Sequence, residues 1–148
     1  MSEKIVEIKT FTPDIYKFIC RLTNQLSPDR EAPSETTVRQ ILDSDNSHLL
    51  VLYDENETPA AMMTIGFYRS PTGFKAWIED VVVDDIFRGK GYGKKIMASA
   101  IDLCRNIGVG TISLTSRPSR IAANRLYQTL GFEAYETNVY KMKTGVND

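Results

Sequence analysis

The sequence predicts an α/β (α+β) fold in which a mixed, mostly antiparallel central sheet carries helices on both faces. Three observations predict it. The apolar pattern changes period repeatedly, giving the order strand, two helices, three strands, helix, strand, helix, strand. Tight polar turns join the strands of the first half, which requires antiparallel pairing there. The strand–helix–strand crossover from Ala76 to Thr115 requires a parallel pair.

Taken in order, Val6 and Ile8 alternate with Glu7 and Lys9 as a short half-buried strand ending at the turn Thr10 to Pro13. Pro13 suits the first turn of a helix whose apolar stripe is Ile15, Phe18, Ile19 and Leu22, stopped by Ser27-Pro28. After a polar loop, Ser34 and Glu35 begin a second helix through Val38, Ile41 and Leu42. Leu49 to Tyr53 and Ala60 to Tyr68 form a hairpin around the polar turn Asp54 to Thr58. Ala76 to Val83 follows, closing on Val81, Val82 and Val83 as a fully buried strand. Tyr92 to Ile107 is the clearest helix, with Ile96, Met97, Ala100, Ile101 and Cys104 on one stripe and Gly108 as its stop. Thr111 to Thr115 is a strand. Ser119 is the expected N-cap of a last helix through Ala123, Leu126, Tyr127 and Leu130, closed by Gly131, and a final strand is expected from Asn138 to Met142.

Composition sets the limits on function. The chain has 148 residues, 42% hydrophobic and 25% charged, enough apolar surface for one compact domain over residues 1–148. Its 18 basic side chains balance 19 acidic ones at a formal charge of -1, so no chain-wide field draws in nucleic acid or an anionic membrane, and an anion site has to be local. Cys20 and Cys104 lie among apolar helical neighbours and read as free buried thiols. With His48 as the lone histidine, no four-ligand zinc set can be assembled, and no metal is expected. The N-terminus lacks an apolar signal core, and no apolar run approaches the about 20 residues of a membrane span, which points to the cytoplasm.

The local anion site is Arg88-Gly89-Lys90-Gly91-Tyr92-Gly93-Lys94, between a buried strand and a helix. Glycines let the backbone turn sharply and approach a ligand, while the unpaired N–H groups of a helix start favour phosphate. Arg88, Lys90, Lys94 and Lys95 add positive charge. A Walker loop fails, since Arg88 and Lys95 stand where Gly and Ser or Thr belong. A dinucleotide fingerprint fails at Lys94, and Asp102 falls too early for the ribose acid.

At these residues the chain resembles the GNAT superfamily of acetyl-coenzyme A (acetyl-CoA) dependent N-acetyltransferases, as a small bacterial-type domain. Arg88-x-x-Gly91-x-Gly93 matches the family signature directly after its buried strand, and Leu126-Tyr127-x-x-x-Gly131-Phe132 resembles the closing helix. The resemblance implies acetyl-CoA as cosubstrate, its pantetheine arm laid along Val81, Val82 and Val83 like an added strand and its pyrophosphate on backbone N–H groups from Gly89 through Lys90, Gly91, Tyr92 and Gly93 to Lys94. It also implies that Arg88 shapes or contacts that site, and that the strand bulges and splays from its neighbour near Thr111 to Thr115. One departure stands out: many members carry Asn seven residues before the Tyr, where this chain has Arg120. Either Asn124 substitutes from the next turn, or Ser119 and Arg120 bind the cofactor differently.

Acetyl transfer to an amine needs a neutral amine, stabilisation of the oxyanion and a proton for the leaving thiolate. Tyr127 matches the family Tyr that protonates the departing sulfur, while its position on the apolar stripe equally suits a core aromatic. Glu79 alternates with Trp77 and Val81 on an apolar strand, where burial would raise its pKa into a useful range for a base or water relay; a structural pairing with Arg or Lys is the other reading. Asp80 is expected on the opposite face. Ile78-Glu79-Asp80 also resembles glucosamine-phosphate N-acetyltransferases. His48 reads as a strand-edge residue and Cys104 as an inert core thiol. The loop Pro28 to Glu35 and the turn Arg69 to Phe74 are candidate acceptor-specificity segments. The leading expectation is therefore an N-acetyltransferase of a small-molecule primary amine, with a homodimer following only from family habit. The alternatives are a non-catalytic acyl-CoA-binding or sensing domain and a protein or peptide N-acetyltransferase.

Overall fold

The architecture follows from a sheet whose inner strands are apolar on both faces. In the computed structural model, which describes residues 2–146, β1 (Lys4–Glu7), β2 (Ser47–Tyr53), β3 (Pro59–Ser70), β4 (Gly73–Val83) and β5 (Thr111–Ser113) lie side by side in chain order. The first four pair antiparallel and β5 pairs parallel to β4. Leu49 and Val51 of β2 pack with the helices α1 (Pro13–Leu26) and α2 (Glu35–Asp43), while Leu50 and Leu52 pack against α3 (Tyr92–Ile107). Each sheet face thus has its own core, one built on Phe18, Leu22, Val38 and Met62, the other on Met63, Ile65, Ile96 and Met97.

The helix ends are set by local chemistry. Thr12 Oγ1 accepts the Ile15 N–H at 3.1 Å with Pro13 in the first turn, and Ser34 Oγ accepts the Thr37 N–H at 3.1 Å. Gly108, at φ 87°, takes the left-handed conformation that ends α3, and the following Val109 N–H bonds Cys104 O at 2.9 Å.

Three expectations are corrected. Ser119 does not cap the last helix. A turn in which the Arg120 N–H bonds Arg117 O at 3.0 Å carries Ser119 within it, so α4 (Ile121–Thr129) starts from Arg120 with no side-chain cap. β5 stops at Ser113 rather than Thr115, because it meets only Lys75 to Trp77 of β4. No strand forms from Asn138 to Met142: Val139, Tyr140 and Met142 are exposed, and among the described residues no ladder partner lies beside them.

Candidate active site

The site is built where β4 leaves β5. Trp77 is the last residue of β4 paired to β5, so from Ile78 to Val83 the strand bonds β3 alone and its other edge is open. Within that stretch Thr64 faces Glu79 and Met62 faces Val82, which leaves Asp80 and Val81 both opposite Met63. This is a β-bulge, and Asp80 takes φ 54°, a conformation that non-glycine residues seldom adopt.

The bulge overturns the expected alternation. Glu79 shares a face with Trp77, whose Nε1 donates to Glu79 Oε1 at 2.7 Å, but the extra residue sends Val81 to the α3 face with Val83. Val82 instead turns into the core under α1 and α2, so only its backbone borders the open edge. The burial expected for Glu79 is absent as well. Its carboxylate is exposed at the rim of the splay, and so is Asp80.

Beyond Val83 the chain is pinned before it reaches the glycines. Asp84 is 1% exposed and accepts Arg21 Nη2 at 2.9 Å, Arg21 Nε at 3.3 Å and Gln25 Nε2 at 3.1 Å. Gln25 Oε1 in turn accepts the Asp85 N–H at 3.0 Å. Burial alone would raise the Asp84 carboxyl, but the bonds from Gln25 and Arg21 and the Arg21 charge outweigh it and hold the group below its ordinary value. Sequence pattern alone does not single out Asp84, Arg21 or Gln25. The available signal is an acidic pair placed between an apolar strand and a glycine loop.

In the loop itself Gly89 and Gly91 sit at φ 83° and 79°, and a Cβ built on either meets nothing within 4 Å, so the loop presents bare backbone to open space. Gly91 is the N-cap of α3 and offers no side-chain cap, leaving the first N–H groups of the helix available to an anion. Gly93 serves packing instead. Its Cβ would stand 3.3 Å from Leu126 Cδ2 and 3.6 Å from Val83 Cγ2, so its absence lets α3 close on α4 and β4. Tyr92 points into the core against Phe87 and offers the loop only its backbone.

The charges divide. Lys90 and Lys94 are exposed, whereas Lys95 is tied to Glu3 and lends less to the anion site than its sequence position suggests. Arg88 Nε reaches back to Val83 O at 3.4 Å, holding the strand end.

Tyr127 is 6% exposed in the core under α3, with the Phe132 ring edge-on at 6.1 Å. Burial raises its phenol above the ordinary value, and the Arg120 guanidinium pulls the other way. Arg120 thus addresses Tyr127 from the position expected to hold Asn. Asn124 Nδ2 donates to Arg117 O at 2.9 Å, and Ser119 is exposed. The Asn124 amide therefore braces the loop before α4. Ser116 Oγ, just past β5, is buried without a partner among the described residues, a further polar atom that no sequence pattern marks out. Two cavities lie elsewhere, one between β1 and α3 beside Glu3 and Lys95, the other beside Phe11 and Arg39. Among the described residues no group of three or more His, Cys, Asp or Glu side chains is placed to hold a metal, and no helix is long and apolar enough to cross a membrane.

The site thus joins a mixed sheet that opens at a bulged strand to a bare glycine turn feeding an uncapped helix. Residues 14–132 match the acetyltransferase (GNAT) family, and the chain belongs to it. It is 32% identical over 87 residues to an uncharacterised N-acetyltransferase, ycf52, of Porphyra purpurea, a match covering 59% of this chain and 48% of that protein. It is 32% identical over 73 residues to the ribosomal protein bS18-alanine N-acetyltransferase of Haemophilus ducreyi, covering 48% and 50%. The matched regions thus span about half the length of these relatives. Among solved structures, an aminoglycoside acetyltransferase from an uncultured soil metagenomic sample superimposes with a TM-score of 0.81 over 96% of this chain and 95% of its own at 18% identity, a likeness of fold.

Proposed function

We propose that residues 1–148 form one N-acetyltransferase domain that transfers acetyl from acetyl-CoA to a primary amine of a small molecule. The family generally uses acetyl-CoA, and the observation that carries the reading is the conjunction of the open edge of β4 from Ile78 to Val83 with the bare backbone at Gly89 and Gly91. These residues fit the group: an amide-bearing arm can bond the open strand edge as an added strand, and a pyrophosphate suits the N–H groups at the start of α3. Lys90 and Lys94 stand nearby as counter-charges, and Arg88 keeps the strand end in place.

When bound, acetyl-CoA supplies the activated acyl group and the thiol that leaves. The chain's residues do the rest by positioning and proton handling. Glu79, held by Trp77 Nε1, accepts a proton from the incoming ammonium directly or through water, giving the neutral amine. Tyr127, protonated at neutral pH as any phenol is, holds at Oη the proton required by the departing sulfur; its burial raises the group above its ordinary value, and the opposing pull of Arg120 makes that proton easier to release. The exposure of Glu79 and Asp80 favours a cationic amine at the rim. Relatives named for an amino acid analogue, a ribosomal protein and aminoglycosides share amines as their acceptors' reacting class. Free Cys20 and Cys104 support a reducing compartment, and we assign the cytoplasm.

The test is thiol release from acetyl-CoA with a panel of polyamines, aminosugars, amino acids, aminoglycosides and peptides. Saturable release with a small amine supports the reading. Binding of CoA with no release for any acceptor contradicts it, and release with peptides alone moves the acceptor to protein.

A further inference from the structure

Trp77 is the chain's one tryptophan, and it packs into neither core. Its neighbours on β4, Ala76 and Ile78, belong to the core under α3, so the indole stands on the opposite face of the sheet, where it is partly exposed. On that face Leu49 is the last side chain of β2 covered by α1 and α2. The uncovered row beyond it reads Ser47, Gly66, Trp77 and Ser113 across four strands. A large ring that fills no core and has only small residues at its flanks is placed to stack a ligand.

Trp77 Nε1 donates to Glu79 Oε1 at 2.7 Å, which fixes the indole toward the bulge. Among the described residues no aromatic ring or cation is stacked on it. The sheet beside it is bare at Gly66, where a Cβ would meet only Asn46 O, at 3.6 Å, within a radius of 4 Å. The indole therefore leaves that floor open instead of leaning across it.

The charges on this face are ordered along β4. Glu79 and Asp80 are exposed at the bulge end, and Lys75 lies at the other, two residues before Trp77. The Lys75 ammonium donates to Thr72 Oγ1, and no carboxylate among the described residues pairs with it. An amine is thus drawn to Glu79 and Asp80, while a second cation further along the strand is repelled. Glu79 lies two residues, about 7 Å, along the strand from Trp77, so a ring beside the indole brings its nitrogen to the carboxylate through a linker of about two carbons.

We infer that the acceptor is a monocationic arylalkylamine, its ring stacked on the Trp77 indole above Gly66 and its amine at Glu79. The inference rests on the acetyl-transfer reading and narrows its acceptor. An aliphatic amine reaches Glu79 without using the indole, and a polyamine sends its second charge toward Lys75.

The test compares phenethylamine, butylamine and putrescine in the thiol-release assay, with fluorescence titration of the full chain in the presence of CoA. Because Trp77 is the one tryptophan, red-edge excitation reports that indole alone. Phenethylamine is expected to change its emission saturably and to show a KM at least about tenfold below those of the other two amines. Gly66 lies in ordinary strand backbone, so Gly66→Val should fold while filling the floor beside the indole. It should raise the KM for phenethylamine at least about tenfold and leave kcat and KM for butylamine within about twofold. Should that variant not fold, the wild-type comparison decides alone. Equal KM values for phenethylamine and butylamine, no emission change with phenethylamine, or a preference for putrescine or peptides overturns the inference and leaves acetyl transfer standing. So does a folded Gly66→Val chain that treats the three amines as wild type does. Release with no amine of any kind contradicts the acetyl-transfer reading, and the inference falls with it.

Discussion

Arg21 on α1 holds Asp84 at the mouth of the glycine loop, with Nη2 2.9 Å and Nε 3.3 Å from the same carboxylate oxygen. Gln25, one turn further on, takes the other oxygen and also caps the Asp85 N–H, so a helix from one face of the sheet fixes the direction in which the chain enters the loop on the other. Arg21 is half exposed and its charge is screened, so the buried carboxylate and its bonds contribute most of the stabilisation.

Asp84→Ala leaves Arg21, the Gln25 amide and the Ile86 N–H without their acceptor and is expected to cost about 1–3 kcal/mol, against about 0.5–1 kcal/mol for Arg21→Ala. The sign of the pH dependence follows from the lowered Asp84 pKa. Its contribution is present above the unfolded value, about 3.9, and is lost as pH falls through the folded value. Urea midpoints from pH 7 to pH 3 should therefore fall less steeply for Asp84→Ala than for wild type; parallel curves would mean that the carboxylate is not the stabilising form.

Gly91→Val places a β-branched residue at φ 79° and points its side chain into the space assigned to pyrophosphate. The backbone strain costs about 1–2 kcal/mol, which the fold should survive. Calorimetry should show CoA binding weakened at least about tenfold. Equal affinity in a folded Gly91→Val chain removes the loop from the cofactor site. Gly93→Ala, by contrast, crowds Leu126 and should lower the melting temperature.

The local elements of this fold are legible in the sequence. Gly108 announces the end of α3 because a helix stop is written within a few residues, and the Gly91 turn is visible for the same reason. The bulge is not. It depends on which residue of β3 stands opposite Glu79, a relation between strands that period-two alternation cannot carry, and so alternation puts Val81 on the wrong face. Asp84 escapes notice because its partners lie about 60 positions away on α1. The strand expected at Asn138 has the right composition, yet among the described residues it pairs with no other strand, a relation that composition alone cannot carry.

Glu79→Gln removes the proposed proton acceptor while leaving the Trp77 bond a partner. The acetylation rate should fall most at low pH, where the acceptor ammonium is hardest to deprotonate, and CoA affinity should be unchanged. Trp77→Phe keeps an aromatic side chain but removes the indole N–H and frees the carboxylate, and should give a smaller loss with the same pH profile as wild type. A pH–rate profile identical in wild type and Glu79→Gln would make Glu79 a structural residue.

Proton donation from Tyr127 to the departing thiol is the step on which the proposed chemistry turns, and Tyr127→Phe probes it with one oxygen removed. The ring that packs beside Phe132 remains, so the melting temperature and CoA affinity should match wild type. The measurement is the initial rate of thiol release from acetyl-CoA, with the best acceptor from the panel at saturation. A rate about 10²–10⁴-fold below wild type is expected, the usual worth of general acid catalysis. A rate within about twofold of wild type in an equally stable protein would rule out the acid role and place Tyr127 in the core alone.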